Sequence, residues 1–513
     1  MTAQPGNIEQ FLAALLSIER AAALLDNASP TRAADIDEAV RLGGASAQIL
    51  TRAAALLSPA RPDRAHQLLQ QAVALDAPTA PAQLALSRSF RARGNDTEAS
   101  RWLRGAMLRA RPDAALLLEL AAIESDHADA IARAALAFPC RDLATATDAA
   151  SALLACGKRK AARIACTIAF EAGARDGDLL ALYSDLLADS TLHDDPPLPD
   201  GPLGMPHWWN VATRAAQARL ARAYPAPPLI ARLEGREASK GWIGSDQLAA
   251  FLKEKIAARA PFSWIRLGDG EARFLMHLHP ELRTALPPRE ADAMARQIWY
   301  AWFGQEIDKI APERLRNLGE QLEQAIRNAD LVGVTTAARL REDVTHYGFC
   351  AALETHLAPL LAERSDATFT DALATLALNR QDPFLGSLLR GADFLGLVSP
   401  HPGLAARLQR HLNIGTVASY DLPGETRLAR AREARDRGRH FPYVFEDVLQ
   451  RLSVPQPGAL FLVAGGLLGK IYCEHIRARG GIALDIGAIA DAWVGQNARG
   501  ALLEGAPALP PAA

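Results

Sequence analysis

The sequence predicts two fold classes in one chain: an all-α array of paired helices, then an α/β domain built on a mostly parallel sheet. Three observations carry this. Residues 7–187 are rich in Ala, Leu, Arg, Glu and Gln, with apolar residues at three- and four-residue spacing. Residues 193–209, HDDPPLPDGPLGMPHWW, hold five prolines, which cannot sit inside helices and stiffen a connection. From about Phe262 onward, short apolar runs alternate with amphipathic helical stretches, the pattern of βαβ units.

The helical array carries an internal period. RAHQLLQQAVALDAP (64–78) and EASRWLRGAMLRARP (98–112) align at an offset of 34 residues, superposing Ala65 on Ala99, Leu69 on Leu103, Ala72 on Ala106 and Pro78 on Pro112. Small residues at a close crossing, a large one a turn later and a helix-ending proline let antiparallel helix pairs stack, and the spacing is the tetratricopeptide period. LALSRSFRARGN (84–95) reads as the first helix of the next unit, with Phe90 in the large-residue slot and Gly94-Asn95 at its turn. ALLACGKRKAARIACTIAF (152–170) is a degenerate further copy. The expected organisation is a tetratricopeptide-like helical repeat domain over 1–190, a Pro-rich linker and connecting helix over 191–235, an α/β domain over 236–502 and a flexible tail over 503–513.

Six runs read as strands: FSWIRLGD, DLVGVTT, ADFLGLVS, IGTVASYD, GALFLVAGG and GIALDIG. In a parallel sheet covered on both faces, ligands sit beyond the carboxyl ends of the strands, so the loops after these runs are where chemistry belongs. Asp269 and Glu271, in LGDGEARF, follow the first run. On an extended or turning backbone, residues i and i+2 project to one side, whereas on a helix they diverge by about 200°. A turn here predicts that the two carboxylates converge, with Gly268 and Gly270 supplying positive φ and close approach. Two hard oxygen donors suit Mn²⁺ or Mg²⁺ carrying a diphosphate. Read structurally instead, the same acids simply favour the N-terminus of the following helix.

A second glycine-rich turn lies in LFLVAGGLLGKIYCEHIRARGGIALDIGAIADAW (460–493). A strand runs into Gly465-Gly466, a helix opens around Gly469-Lys470, and a second strand ends in Asp485-Ile486-Gly487. Free N–H groups at the helix start and the Lys470 charge suit a phosphate. A Walker loop is excluded, because Ala464 stands where glycine belongs and Ile471 replaces the magnesium-binding Ser or Thr.

Composition removes other classes. A net charge of -2 with 22% charged and 49% hydrophobic residues gives nucleic acid no electrostatic footprint. Five scattered cysteines without CxxC spacing indicate neither a disulfide framework nor a zinc site. The amino terminus lacks signal-peptide character, and the longest apolar run, 458–469, falls short of the roughly 20 residues of a membrane span. The expected residence is cytoplasmic or peripheral to the inner membrane.

Together, the segments Arg266-x-Gly268-Asp269-Gly270-Glu271 and Ala464-Gly465-x-x-x-Gly469-Lys470, with the strand-end Asp485-Ile486-Gly487 and Asp491, resemble the GT-D class of bacterial glycosyltransferases over roughly residues 236–499. The resemblance implies a Rossmann-like, mostly parallel fold and metal-dependent transfer of a sugar from a nucleoside diphosphate sugar, a UDP-sugar above all, to a glycan or protein acceptor. It implies Asp269 and Glu271 as ligands of Mn²⁺ or Mg²⁺, Arg266 orienting the acidic turn or the phosphates, and the Gly465, Gly466 and Lys470 turn as a second phosphate contact. A base for the acceptor hydroxyl comes from Asp491, Glu425 or His346. The helical repeats would present a protein acceptor or dock a protein partner. Two other readings stay open. ALDIGAIAD resembles the cofactor strand of S-adenosylmethionine methyltransferases, although Ile489 stands where that motif has a further glycine, and a repeat scaffold with a degenerate α/β half would have no catalysis at all.

Overall fold

The computed structural model of the chain describes residues 5–26, 33–75, 80–111, 113–189, 205–279, 282, 284–343, 346–362, 368–424, 440–496 and 503–510. It divides into two compact units, Met1–Pro197 and Leu198–Ala513. No helix among the described residues is long and apolar enough to cross a membrane.

The first unit is built of consecutive helix pairs: Ala47–Leu57 with Pro62–Ala74, Ala80–Ala92 with Asp96–Met107, Ala114–Ile123 with Ala128–Ala135, and Leu143–Ala155 with Arg159–Glu171. With the later helix Gly177–Ala188, first helices begin at 47, 80, 114, 143 and 177, intervals of 33, 34, 29 and 34 residues. The repeat is therefore tetratricopeptide-like in period as well as in pairing. All six superposed helical positions, Ala65, Leu69, Ala72, Ala99, Leu103 and Ala106, are buried. Phe90 packs edge-on to His66 between neighbouring pairs. The turn at Gly94 needs φ +73°, and Asn95 then caps the next helix by accepting the Glu98 N–H at 3.1 Å. Gly157 repeats the left-handed turn at φ +72° in the degenerate copy.

Among its described residues the second unit contains seven strands: β1 (Phe262–Arg266), β2 (Leu331–Val334), β3 (Thr368–Asp371), β4 (Phe394–Ser399), β5 (Thr416–Asp421), β6 (Leu460–Val463) and β7 (Ile482–Asp485). Their order is β3-β2-β1-β7-β6-β4-β5, and every pairing is parallel. Six are the runs expected from sequence. The seventh, β3, was not expected because Thr-Phe-Thr-Asp carries one apolar residue in four, which an edge strand tolerates.

Alternation along the strands shows both faces covered. Ile265, Val332, Phe461, Val463 and Ala483 join one core with helices Asp269–Leu278, Pro288–Phe303, Pro312–Asn328 and Gly466–Ala478. Trp264, Leu331, Leu460, Leu462 and Leu484 join the other with helices Leu248–Ala258 and Leu404–Leu412. Parallel strands buried on both faces read as continuous apolar runs.

Two expected boundaries shift. Helix His207–Ala223, expected as a connection, buries Val211, Ala212, Ala215, Ala216 and Leu220 and packs on Pro288–Phe303 and Tyr347–Ala362, so it belongs to the second unit. The expected flexible tail is also a packed segment through Pro510. Leu503 and Leu509 are buried in the second core, and the Leu509 N–H donates to the Trp493 carbonyl at 2.8 Å.

Gly396 marks the tightest point of the sheet: a Cβ there would lie 2.0 Å from Phe461 Cδ1 on the adjacent β6. Gly396→Ala is expected to lower stability by about 1–3 kcal/mol through overpacking, read as a lower urea midpoint. An unchanged midpoint would show that Phe461 yields freely.

Candidate active site

The sheet topology selects the site. From β1 the chain steps outward through β2 to β3, then crosses to the far side for β4 and β5 and returns through β6 to β7, beside β1. The chain changes direction between β6 and β4, whose following helices, Gly466–Ala478 and Leu404–Leu412, cover opposite faces, and a cleft of about 730 Å³ opens at the carboxyl ends of the strands. Every one of the ten expected site residues, Asp269, Glu271, Asp491, Arg266, Gly268, Gly270, Gly465, Gly466, Lys470 and Asp485, lines it. The contacts of several of them differ from those expected.

Asp269 and Glu271 are not on a turn. They occupy the first and third positions of helix Asp269–Leu278, where carboxylates complement the exposed N–H groups, and the apolar residues Ala272, Phe274, Leu275 and Met276 bury its core face. Gly268 is extended (φ -147°) and neither it nor Gly270 has positive φ. Gly270 is required for packing, since a Cβ would sit 2.4 Å from Trp302 Cζ2.

Each acid has its own cation. Glu271 Oε2 accepts the Gly268 N–H at 3.0 Å, half of a capping box, while Oε1 takes Lys470 Nζ at 2.8 Å. Asp269 Oδ2 lies 2.5 Å from Arg273 Nη2, one helical turn on. The two acids thus engage different cations: Glu271 lies in the cleft floor, its side chain 10% exposed, whereas that of Asp269 is 30% exposed.

Under that floor lies a charged network. Lys470 Nζ donates to Gly466 O (2.9 Å) and meets Glu271 (2.8 Å) and Asp485 Oδ2 (3.2 Å), so its three hydrogens are all directed inward. Its ammonium is therefore engaged by the protein's own carboxylates and carbonyl, where the sequence led us to expect a phosphate. Arg266 is equally occupied: Nε donates to Asp485 O at 3.0 Å, Nη2 meets Asp485 Oδ1 at 3.2 Å, and Nη1 reaches Ala372 O and Thr375 Oγ1. It ties β1 to β7 and to the loop after β3 instead of orienting phosphates. Gly487, at φ +49°, is needed here because a Cβ would lie 1.7 Å from Arg266 Nη2.

Burial alone would favour neutral Lys470, but Asp485 and Glu271 outweigh it and raise its pKa. Burial likewise pushes Asp485 up, yet Arg266 and Lys470 overcome this and hold it below the usual carboxylate value. Asp485, its side chain 1% exposed, is thus an ionised anchor held by Arg266 and Lys470.

The remaining groups face the cleft. Asp491 Oδ1 is 2.7 Å from His401 Nε2, each side chain 11% exposed, and the loop holding His401 is fixed by its N–H donating to Ser399 Oγ. On the β1 and β2 side, His346 Nε2 lies 3.9 Å from Asp269 and its Nδ1 lies 3.2 Å from Asp343. Arg339, on the helix after β2, reaches Asp343 at 3.8 Å. Glu425 lies outside the described residues. His401, Arg273 and Arg339 were not named from sequence. Two, Arg339 and His401, follow the strand runs DLVGVTT and ADFLGLVS, where chemistry was expected, but neither loop carries a motif.

No family model matches the chain, and no curated protein does. Among solved structures, one described as the functional characterisation of Pseudomonas aeruginosa pilF is 17% identical, spans 42% of this chain and 94% of its own, and has a TM-score of 0.30. YrrB, described as a TPR protein with an unusual peptide-binding site, is 15% identical, spans 36% of this chain and 91% of its own, and has a TM-score of 0.24. Likenesses at this level carry no argument. The repeat character of the first unit rests on its own helix period.

Proposed function

We propose that the second unit is a glycosyltransferase of Rossmann-like, GT-D type that moves a sugar from a nucleoside diphosphate sugar, a UDP-sugar, to a glycan or protein acceptor. The observation that carries this reading is the pairing of His401 with Asp491 on the same strand-end cleft as Asp269, Arg273 and Arg339. A hydroxyl acceptor needs a base, and a carboxylate-held imidazole is one: Asp491 fixes the ring through Nε2, leaving Nδ1 to take the proton. Arg273 and Arg339 supply fixed positive charge toward a departing diphosphate.

The divalent ion is assigned to Asp269. Mn²⁺ or Mg²⁺ needs only one protein carboxylate when phosphate oxygens and water complete its shell, and Asp269 is the more exposed of the two acids. Such an ion would neutralise charge on the leaving diphosphate. Glu271 instead holds the helix start and Lys470. The helical repeats are proposed to present a protein acceptor or bind a partner, as stacked helix pairs offer extended surfaces.

Calorimetric titration with UDP and GDP, with and without Mn²⁺, tests the reading. Metal-dependent binding by the wild type that disappears in Asp269→Ala is expected. Binding of S-adenosylmethionine with indifference to both nucleotides, or no binding at all, would sink it in favour of a methyltransferase or a scaffold.

A further inference from the structure

Three helical segments of the second unit bring His279, Glu323 and His356 to one point, and none of the three lines the cleft. His279 follows helix Asp269–Leu278, Glu323 lies on Pro312–Asn328 and His356 on Tyr347–Ala362. His279 Nε2 is 2.7 Å and His356 Nε2 3.1 Å from the same Glu323 oxygen, Oε1. The three ligand atoms all lie within 4.8 Å of one another, and the imidazoles tilt by 42° with centroids 4.8 Å apart. The side chains are 27%, 12% and 10% exposed in chain order, so the site is sheltered yet open to entry.

We propose that this cluster is a zinc site, separate from the cleft. Ligand atoms about 2.0–2.1 Å from a tetrahedral Zn²⁺ stand roughly 3.3 Å apart, so the two carboxylate–imidazole spacings need to open by only tenths of an ångström, and the two imidazole nitrogens, within 4.8 Å of each other, need to settle toward the same separation. Two imidazole nitrogens and one carboxylate oxygen select a borderline transition metal and disfavour Mg²⁺ or Ca²⁺, which take oxygen shells. Arg327 Nη2, 3.0 Å from the other Glu323 oxygen, holds that carboxylate so that Oε1 faces the histidines. Three protein ligands leave a fourth position for water. Occupancy would pin the end of the helix whose first residue is Asp269 to two neighbouring helices, joining zinc binding to the rigidity of the cleft floor.

The test uses full-length protein stripped with a chelator and titrated with Zn²⁺ by calorimetry. One equivalent is expected to bind, weakened about 100-fold or more in the His279→Ala/His356→Ala double variant, with circular dichroism showing that the variant is folded. Absence of binding by the wild type, or equal binding by a folded double variant, overturns the proposal and leaves two histidines hydrogen-bonded to a glutamate. Should the double variant fail to fold, Co²⁺ loading of the wild type decides. Tetrahedral or five-coordinate, nitrogen-ligated ligand-field bands support the site, and an octahedral all-oxygen spectrum rejects it. Because the readouts are metal binding and spectra, they stand or fall independently of sugar transfer.

Discussion

Lys470→Met is expected to destabilise the second unit by about 3–5 kcal/mol near neutral pH, the usual consequence of removing one partner from a buried charge network. The ammonium is 5% exposed and is shared by Glu271 and Asp485, which are 10% and 1% exposed. Without it, Asp485 retains Arg266, but Glu271 retains only the Gly268 N–H. Seven of the eight tryptophans fall in the second unit, Trp102 being the exception, so tryptophan fluorescence during urea unfolding reports this unit. The pH dependence identifies the cause. In the wild type, Asp485 has a lowered folded pKa, so its contribution is present above its unfolded value and lost only as pH falls below about 3.8. Lys470 is raised, so its contribution is present below about 10.5 and lost at still higher pH. Between these limits the network contributes a flat plateau. In the variant, protonation relieves stranded carboxylates, so the deficit should shrink from pH 7 to pH 5. Adding Glu271→Gln and Asp485→Asn should recover part of it. A deficit under about 1 kcal/mol, or one that does not change with pH, would mean that Lys470 is not the shared counter-ion.

This network also marks where sequence reasoning stopped. Five of the six expected strands were legible because strands buried on both faces must be continuously apolar, edge strand β5 with only Tyr420 buried being the exception, and the helical repeats because Ala65, Leu69 and Ala72 return 34 residues later at the same buried positions. All ten expected site residues reach one cleft because parallel strands deliver their loops to one end. Their contacts were not legible. Gly-Asp-Gly-Glu was read as a turn, yet the acids at the first and third helical positions and the apolar residues that follow favour a helix, and periodicity then sends Asp269 and Glu271 to different cations. Lys470 sits 199 positions from Glu271, and no local pattern reports such a pairing. The zinc cluster has the same character, with His279, Glu323 and His356 spread over three helical segments at spacings that no motif contains. Glycine also misled: Gly270, read as allowing close approach of a bound group, instead clears Trp302, just as Gly487 clears Arg266.

His401→Gln is expected to lower the rate of sugar transfer by about 10²–10⁴-fold, the range that general base catalysis supplies, while nucleotide binding by calorimetry stays within a few-fold of wild type. The logic is a division of labour across the cleft. Asp269, Arg273 and Arg339 sit on the β1 and β2 side, and the His401–Asp491 pair on the β4 and β7 side. Donor affinity and acceptor activation should therefore separate under mutation, with Asp269→Ala removing binding and His401→Gln removing turnover. Asp491→Asn tests whether the acid works through the imidazole. An amide still hydrogen-bonds Nε2 but cannot stabilise an imidazolium, so it should cost nearly as much as losing His401, and the double variant should be little worse than either single one, as residues acting as a unit are not additive. If Asp491 were itself the base, His401→Gln would be mild, Asp491→Asn severe and the double variant no worse than Asp491→Asn. If neither touched the reaction, kcat would hold in all three. The three patterns differ in kcat alone, at saturating donor, so a change in affinity cannot imitate any of them.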